Sequence, residues 1–222
     1  VKLFVPKPVQ DAIAFSTLET VSELREVTTM FMNLTSYDPE KNRDPMTLQA
    51  FCHMAQEALA KTGGFLRQFL IDDKGCVLIA MWGVPSFSYS NNCSRAVACS
   101  VLLHEGTIAL GHRCSIGVTV GTVYVGNVGS LIRRDFVGLG ADVNLAARLM
   151  SKAGGEIFIH EKVAAALPED FRGSLGRSAE LTLKGVQGTC CAAVCTGEMS
   201  SPATRDFVDG VCSASGVETG ID

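Results

Sequence analysis

Apolar positions repeat along the chain with two different periods, and the change between them divides the sequence into strands and helices. Runs of apolar and β-branched residues without helical spacing are typical of strands. They cover residues 24–34, 65–71, 76–84, 154–160, 180–186 and 190–196. The glycine-punctuated segment CSIGVTVGTVYVGNVGS (114–130) predicts a hairpin in which the backbone passes close to another group.

Apolar residues at helical spacing predict helices between these strands. In segment 46–64, Phe51, Ala55 and Leu59 fall on one stripe, and Gly63 ends the helix. A short helix is predicted after Pro8, because proline suits a first helical turn. The remaining predicted helices cover residues 90–110, 141–150 and 161–167.

The order of these elements is β, α, ββ, α, ββ, α, β, α, ββ. It predicts an α+β fold with one mostly antiparallel sheet and helices packed on it, containing the split βαβ pattern of ferredoxin-like folds. We expect residues 1–21 to be an N-terminal lead-in and residues 22–197 to be the folded domain. Residues 198–222 lose periodicity and are expected to form a C-terminal linker or tail.

Composition favours a packed domain and argues against two classes of function. With 222 residues, 47% of them hydrophobic, the chain suits one domain with an ordinary core. The net charge of -4 argues against a nucleic-acid-binding surface. No apolar run approaches the roughly 20 residues that span a bilayer. The first residues, VKLFVPKPVQ, lack both an initial Met and the apolar core of a signal peptide, so we expect a cytoplasmic piece of a longer protein.

The nine cysteines indicate neither a disulfide framework nor a zinc site. Their number is odd, and they contain no C-x-x-C pair. Disulfide frameworks belong to short secreted chains, and zinc sites need tighter clusters of ligands. Most of these cysteines lie in apolar runs, where Cys acts as a small hydrophobic residue. We therefore expect reduced structural thiols.

The candidate chemistry lies in the segment FVGLGADVNLAARLM (136–150). Asn144 and Arg148 are four residues apart and share one face of the predicted helix, which Asp142 is placed to cap. The planar fork of Arg suits phosphate oxygens, and an Asn amide can orient an oxygen atom. From the residues alone, two interpretations stay open: a solvated helix face, and a site for an anionic ligand.

Two segments in this region closely resemble the class III nucleotidyl cyclase catalytic domain: GTVYVGNVGS (121–130) and GLGADVNLAARL (138–149). SELREVTTMFMNL and LKGV fall where that family has its corresponding strands, so the resemblance covers residues 22–197. Within the family, the likeness is greatest to the second, C2-like domain of soluble, bicarbonate-responsive adenylyl cyclases. Those domains likewise have an Asn in the first strand and the sequence DKGC at the hairpin.

The resemblance implies a reaction and a division of labour between two domains. Class III cyclases work as head-to-tail domain pairs with ATP at the interface. The ribose 3′-hydroxyl attacks the α-phosphate and pyrophosphate leaves, assisted by Mg²⁺ or Mn²⁺ ions that two aspartates hold. The partner domain supplies an Asn and an Arg that stabilise charge in the transition state. Asn144 and Arg148 match these two positions, so the resemblance implies that they are catalytic.

The two metal-binding aspartates of the family are not matched in this sequence. The first position falls at Asn33, and an amide is a poorer ligand for Mg²⁺ than a carboxylate. Counted back from the strand that follows, the second position falls at Cys76, whose soft thiol suits magnesium badly. Counted forward from the Gly63–Gly64 pair, it falls instead at Asp72, which the residues favour as a turn former. We therefore expect this domain alone to bind no metal and to be inactive.

Three further family positions concern nucleotide binding. A polar residue that contacts the purine in the family is replaced by Val137, which offers only apolar contact. A lysine that helps to recognise the base is replaced by Gln68. Lys184 matches a family lysine that touches the terminal phosphates, although a solvated strand-end lysine is the simpler interpretation of the residue alone.

Two functional hypotheses follow from these matches. In the first, the chain is the C2-like half of an adenylyl cyclase that makes cyclic AMP with a C1-like domain, in the same chain or another subunit. That domain supplies the aspartates and, through them, Mg²⁺ or Mn²⁺. In the second, the chain is an inactive pseudocyclase with a regulatory or assembly role in a larger complex. A cytoplasmic location is expected, and the rest of the protein leaves a ciliary or membrane-associated location open.

Overall fold

The computed structural model of the chain describes residues 5–15, 22–38, 40–41, 45–72, 75–130, 134–182, 189–195 and 199–214. These residues form eight strands: β1 (Ser22–Leu34), β2 (Phe65–Asp72), β3 (Gly75–Trp82), β4 (Ser115–Gly129), β5 (Arg134–Leu139), β6 (Ile157–His160), β7 (Ser178–Thr182) and β8 (Thr189–Cys195). The helices are α1 (Lys7–Ala14), α2 (Pro45–Thr62), α3 (Asn92–Ala109), α4 (Ala141–Lys152), α5 (Glu161–Ala165), α6 (Glu169–Arg172) and α7 (Pro202–Ser213).

All eight strands belong to one sheet, with the order β2-β3-β1-β4-β6-β8-β7 and with β5 paired to β4. Every pairing is antiparallel except that of β4 with β6. The two long strands β1 and β4 lie at the centre and pair over most of their length. The predicted α+β class, with a mostly antiparallel sheet and packed helices, is confirmed.

The central strand β1 separates two faces of the sheet, because successive side chains of a strand point to opposite sides. Met30, Met32 and Leu34 point to one face, which is called the core face because α2, α3 and α7 pack there. Its largest fully buried side chains include Phe51 and Trp82. Asn33 points to the opposite face, which is called the α4 face after the helix that packs on it.

A buried arginine connects three helices on the core face. Arg95 of α3 is 3% exposed, and its guanidinium donates to the main-chain oxygens of Thr62 at 3.2 Å and Ala214 at 3.4 Å. These oxygens lie at the C-terminal ends of α2 and α7, where helix dipoles favour a cation. The guanidinium also donates to Asn91 Oδ1 at 2.8 Å and lies 3.8 Å from the ring centroid of Tyr89.

The structure differs from the predicted elements in two places. Segment 114–130 is not a hairpin by itself: residues 115–129 form the single 15-residue strand β4, and its hairpin partner is β5. The prediction of a linker or tail from residue 198 missed α7, which packs against α3 with Val208 and Val211 in the core. Gly210 and the surrounding polar residues hide this helix in the sequence. The predicted short helix near Pro8 is confirmed as α1.

Candidate functional site

The predicted catalytic pair lies on the outer side of α4. Ala146, Leu149 and Met150 of this helix are buried, whereas Asn144 is exposed and Arg148 is half-buried. In the part of the chain that the structure describes, neither the Asn144 amide nor the Arg148 guanidinium makes a hydrogen bond or ion pair. The two side chains are therefore presented together, with their donors available to a ligand.

The close packing of α4 on the sheet depends on small residues of β4. A β-carbon added at Gly117 would lie 2.3 Å from the carbonyl oxygen of Ala146, and one at Gly121 would lie 2.0 Å from the Asp142 carboxylate. Between these glycines, the Thr119 hydroxyl donates to the main-chain oxygen of Asp142 at 2.7 Å. Gly117 thus allows the backbone of α4 to lie directly on the strand, and Gly121 leaves room for the Asp142 side chain. This is the close approach that the glycine pattern predicted.

Asp142 does not cap α4, contrary to the prediction. The N-cap residue is Gly140, and no side chain caps the helix there. Asp142 lies in the first turn, where a carboxylate is still favoured by the helix dipole. Glycine is favoured at this position because an added β-carbon would meet the Val123 side chain at 2.7 Å.

The two degenerate metal positions, Asn33 and Cys76, lie on adjacent strands but on opposite faces of the sheet. Cys76 pairs with Leu34 and shares its face, so it is 1% exposed within the main core. Asn33 is half-buried on the α4 face, where it lines a pocket of about 350 Å³ with Arg113 and Ser115. The structure therefore does not bring these two side chains together.

The chemistry of these two positions does not fit a magnesium pair. Burial raises the pKa of Cys76 to about 12, and the nearby Cys52 adds to the effect, so the thiol stays protonated. A neutral thiol in the core and an amide on the other face offer no carboxylate for a hard cation. Among the described residues, no group of three or more His, Cys, Asp or Glu side chains is arranged to hold a metal ion.

The remaining predicted positions are spread over the sheet. Gln68 is exposed on the edge strand β2, directly after a bulge, and Val137 is half-buried on β5 opposite Gly126. The two strands approach each other through Phe65 and Phe136, whose rings meet edge to face with centroids 5.7 Å apart. For Asp72 the structure gives only the backbone pairing of β2 with β3, and Lys184 lies outside the described residues.

An exposed apolar ribbon was not anticipated from the sequence. Leu24, Tyr124 and Leu139 are direct cross-strand neighbours on β1, β4 and β5, and Leu24 and Leu139 are 73% and 55% exposed. Val128, further along β4, is also exposed. The register of three separate strands creates this surface, so no single segment of sequence signals it.

Solved structures of nucleotide cyclases have the same fold as this chain. The guanylyl cyclase Cya2 matches with a TM-score of 0.68 and 23% identity, over 78% of this chain and 93% of that chain. The adenylyl cyclase CyaB from P. aeruginosa matches with a TM-score of 0.66 and 20% identity, over 78% of this chain and 95% of that chain. The fold is that of class III adenylyl and guanylyl cyclase catalytic domains, and the resemblance predicted from the sequence is confirmed at this level.

A relative in sequence is adenylate cyclase type 10 of Homo sapiens, which is 31% identical over 134 residues. The match spans 59% of this chain but only 8% of the length of that protein. No protein-family model matches the chain. Within the described residues, no helix is long and apolar enough to cross a membrane.

Proposed function

We propose that this domain is the C2-like half of an adenylyl cyclase, which converts ATP to cyclic AMP and pyrophosphate together with a C1-like partner domain. The observation that carries the proposal is the outward presentation of Asn144 and Arg148 from α4, with no partner for either side chain among the described residues. The similarity to adenylate cyclase type 10 supports ATP as the substrate.

Asn144 and Arg148 have distinct roles in the proposed reaction. The Arg148 guanidinium donates to oxygens of the α-phosphate, where negative charge builds as the ribose 3′-oxygen attacks and pyrophosphate leaves. The Asn144 amide orients the ribose, which aligns the attacking oxygen with the phosphorus. Both groups act on a nucleotide held at the interface between two domains, consistent with their position on the outside of this one.

The need for a partner follows from what this chain lacks. Asn33 and Cys76 offer no carboxylate pair, so Mg²⁺ or Mn²⁺ enters the site through aspartates of the C1-like domain. The exposed ribbon of Leu24, Tyr124 and Leu139 is a surface that a partner domain would cover. Val137 and Gln68 line the base side of the nucleotide in this arrangement, and Lys184 contacts its terminal phosphates.

Reconstitution from purified domains tests this function. The domain alone is expected to make no cyclic AMP from ATP, whereas mixing it with a C1-like domain that carries both metal aspartates restores turnover. Sedimentation of the same mixture reports whether the two domains associate. A substantial rate from the isolated domain would contradict the assignment of Asn33 and Cys76.

The alternative function is that of a pseudocyclase, and the altered nucleotide positions Val137 and Gln68, together with Asn33 and Cys76, motivate it. Such a protein keeps the fold and a face for a partner but has a regulatory or assembly role. In this case the two domains associate in sedimentation but ATP is not cyclised. Association without turnover therefore selects the regulatory or assembly role over the catalytic one.

A further inference from the structure

A groove lies on the helical side of the molecule, on the other face of the sheet from α4. Its walls come from the start of α3, from α6 and from α7, and its volume is about 560 Å³. Sites for small organic molecules typically have volumes of about 300–1,000 Å³. The groove is remote in the fold from Asn144 and Arg148, so its role is separate from the proposed cyclase reaction.

The floor of the groove is apolar. Phe171 of α6 and Phe207 of α7 stack with their ring centroids 3.9 Å apart and their planes 8° from parallel. Beside them, Gly210 lies in the interior of α7, where a β-carbon would meet nothing within 4 Å. Glycine destabilises a helix interior relative to alanine. Here its missing side chain keeps the groove open.

A hydroxyl-bearing residue also lines the groove. Ser94, in the first turn of α3, is 5% exposed, and its side chain makes no hydrogen bond to any residue that the structure describes. This hydroxyl is therefore available to a ligand that offers a hydrogen-bond donor or acceptor at this position.

The rim of the groove is negatively charged. Asp170 lies on α6 and Asp206 on α7, so carboxylates flank the opening from two walls. Both are exposed, and neither makes an ion pair or a hydrogen bond within the described residues. The groove residues include no Lys, Arg or His that would balance them.

We propose that this groove binds a small organic cation, namely a protonated amine carried on an aromatic or aliphatic body. The apolar body lies on Phe207 in the space beside Gly210, and the ammonium group lies toward Asp170 and Asp206. The stacked rings, the unfilled space and the charge of the rim all point to this class of ligand.

Three probes of similar shape test the proposal: phenylbutylamine, phenylbutanol and phenylbutyrate. We expect titration calorimetry or ligand-observed NMR to detect the amine, with the alcohol about fivefold weaker and the carboxylate weaker still, since exposed charge pairs contribute modestly. Asp206→Asn is expected to weaken the amine about threefold and to leave the alcohol unchanged. The matched control is Asp209→Asn, which neutralises a carboxylate of the same helix outside the groove and is expected to change neither.

A filling variant tests the location of the site. Gly210→Leu places a side chain in the open space, and leucine is a better helix former than glycine, so the fold is retained. We expect it to weaken the amine at least about tenfold. Unchanged amine binding in this variant, or equal binding of the three probes, would overturn the proposal. Neither result bears on cyclic AMP formation, so failure of this proposal would leave the proposed function unaffected, and the reverse also holds.

Discussion

Gly117 on β4 lies directly beneath the backbone of α4 at Ala146. A β-carbon at Gly117 would come within 2.3 Å of the Ala146 carbonyl oxygen and within 2.4 Å of the Met150 nitrogen. Both of these atoms belong to the main chain, so no side-chain rotation can relieve the clash. The position of the helix that carries Asn144 and Arg148 thus depends on the absence of a single methyl group.

The first prediction concerns this contact. Gly117→Ala is expected to lower the free energy of unfolding by about 2–4 kcal/mol, because α4 must move away from the sheet. Denaturant unfolding measures the loss. Gly210→Ala is the matched control: its β-carbon meets nothing within 4 Å, and it is expected to stabilise the protein by about 1 kcal/mol. Equal effects of the two substitutions would contradict the close packing of α4.

The second prediction concerns the proposed transition-state residues. In the reconstituted domain pair, Arg148→Ala is expected to lower kcat by about 10²-fold or more, with the free energy of unfolding nearly unchanged. Arg148→Lys should recover little of the lost kcat, because an ammonium group does not reproduce the two parallel donors of the guanidinium. Lys152→Ala removes the same charge one turn further along α4 and serves as the control, with activity retained. Steady-state kinetics and thermal unfolding of the three variants together distinguish catalysis from folding.

The third prediction concerns the buried arginine of the core face. Arg95→Met is expected to destabilise the protein by about 2–4 kcal/mol, because it leaves the Ala214 carbonyl without this donor and removes a charge-assisted contact to Asn91. Arg177→Met is a control with a small effect, since the Arg177 side chain is 66% exposed and its ion pair with Glu156 is superficial. Similar midpoints of urea unfolding for the two variants would rule out this role for Arg95.

The fourth prediction is a pH dependence that originates at His160. Burial lowers the pKa of this imidazole below 6.5, and Lys162 adds to the effect while Glu161 and Asp142 oppose it. Just below pH 6.5, His160 therefore binds a proton more readily in the unfolded chain than in the folded protein. The stability contributed by neutral His160 is complete above pH 6.5 and is lost as the pH falls toward the folded pKa.

His160→Asn tests this dependence. The Nδ1 atom of His160 accepts a hydrogen bond from the Lys162 main chain at the start of α5, and asparagine preserves an acceptor at this N-cap. The free energy of unfolding of the variant should vary less with pH below 6.5 than that of the natural sequence. A parallel pH dependence in both proteins would exclude His160 as its source.

The fifth prediction concerns the reactivity of the thiols. Burial raises the pKa of Cys76, Cys99 and Cys114 to about 12, so these thiols carry little thiolate at neutral pH. Iodoacetamide is expected to label the half-buried thiols of Cys52, Cys93, Cys191 and Cys212 first and to reach Cys76 only when the protein is unfolded. Peptide mass spectrometry with and without denaturant measures the order. Labelling of Cys76 in the folded protein would contradict its place in the core.

Local periodicity predicted most of the fold, because β1, β2, β3 and the helices α2, α3 and α4 carry clear patterns. It failed where the cause is non-local. The glycines of β4 suggested a turn, but they are required by a helix that packs on the strand from elsewhere in the chain. In the same way, the family resemblance assigned Asn33 and Cys76 to the two metal positions, and only the strand register shows that they face opposite sides of the sheet.

The spatial proximity of candidate residues is easier to predict when they lie on one element than when they lie on several. Asn144 and Arg148 share a helix face, so their spacing in sequence determines their proximity in space. The ribbon of Leu24, Tyr124 and Leu139 arises from the register of three strands, and the amine-binding groove arises from three separate helices. Neither surface has a signature in any one segment.

The contacts of Arg95 determine where the polypeptide can be shortened. Its guanidinium donates to carbonyl oxygens at the ends of both α2 and α7. The last helix therefore supplies one of the acceptors that stabilise this buried positive charge. A recombinant fragment that stops at residue 197 would expose the apolar surface that Val208 covers. It would also remove the Ala214 carbonyl that accepts a hydrogen bond from the buried Arg95. We therefore expect a stable recombinant fragment to extend at least to Ala214, beyond the boundary that sequence periodicity suggests.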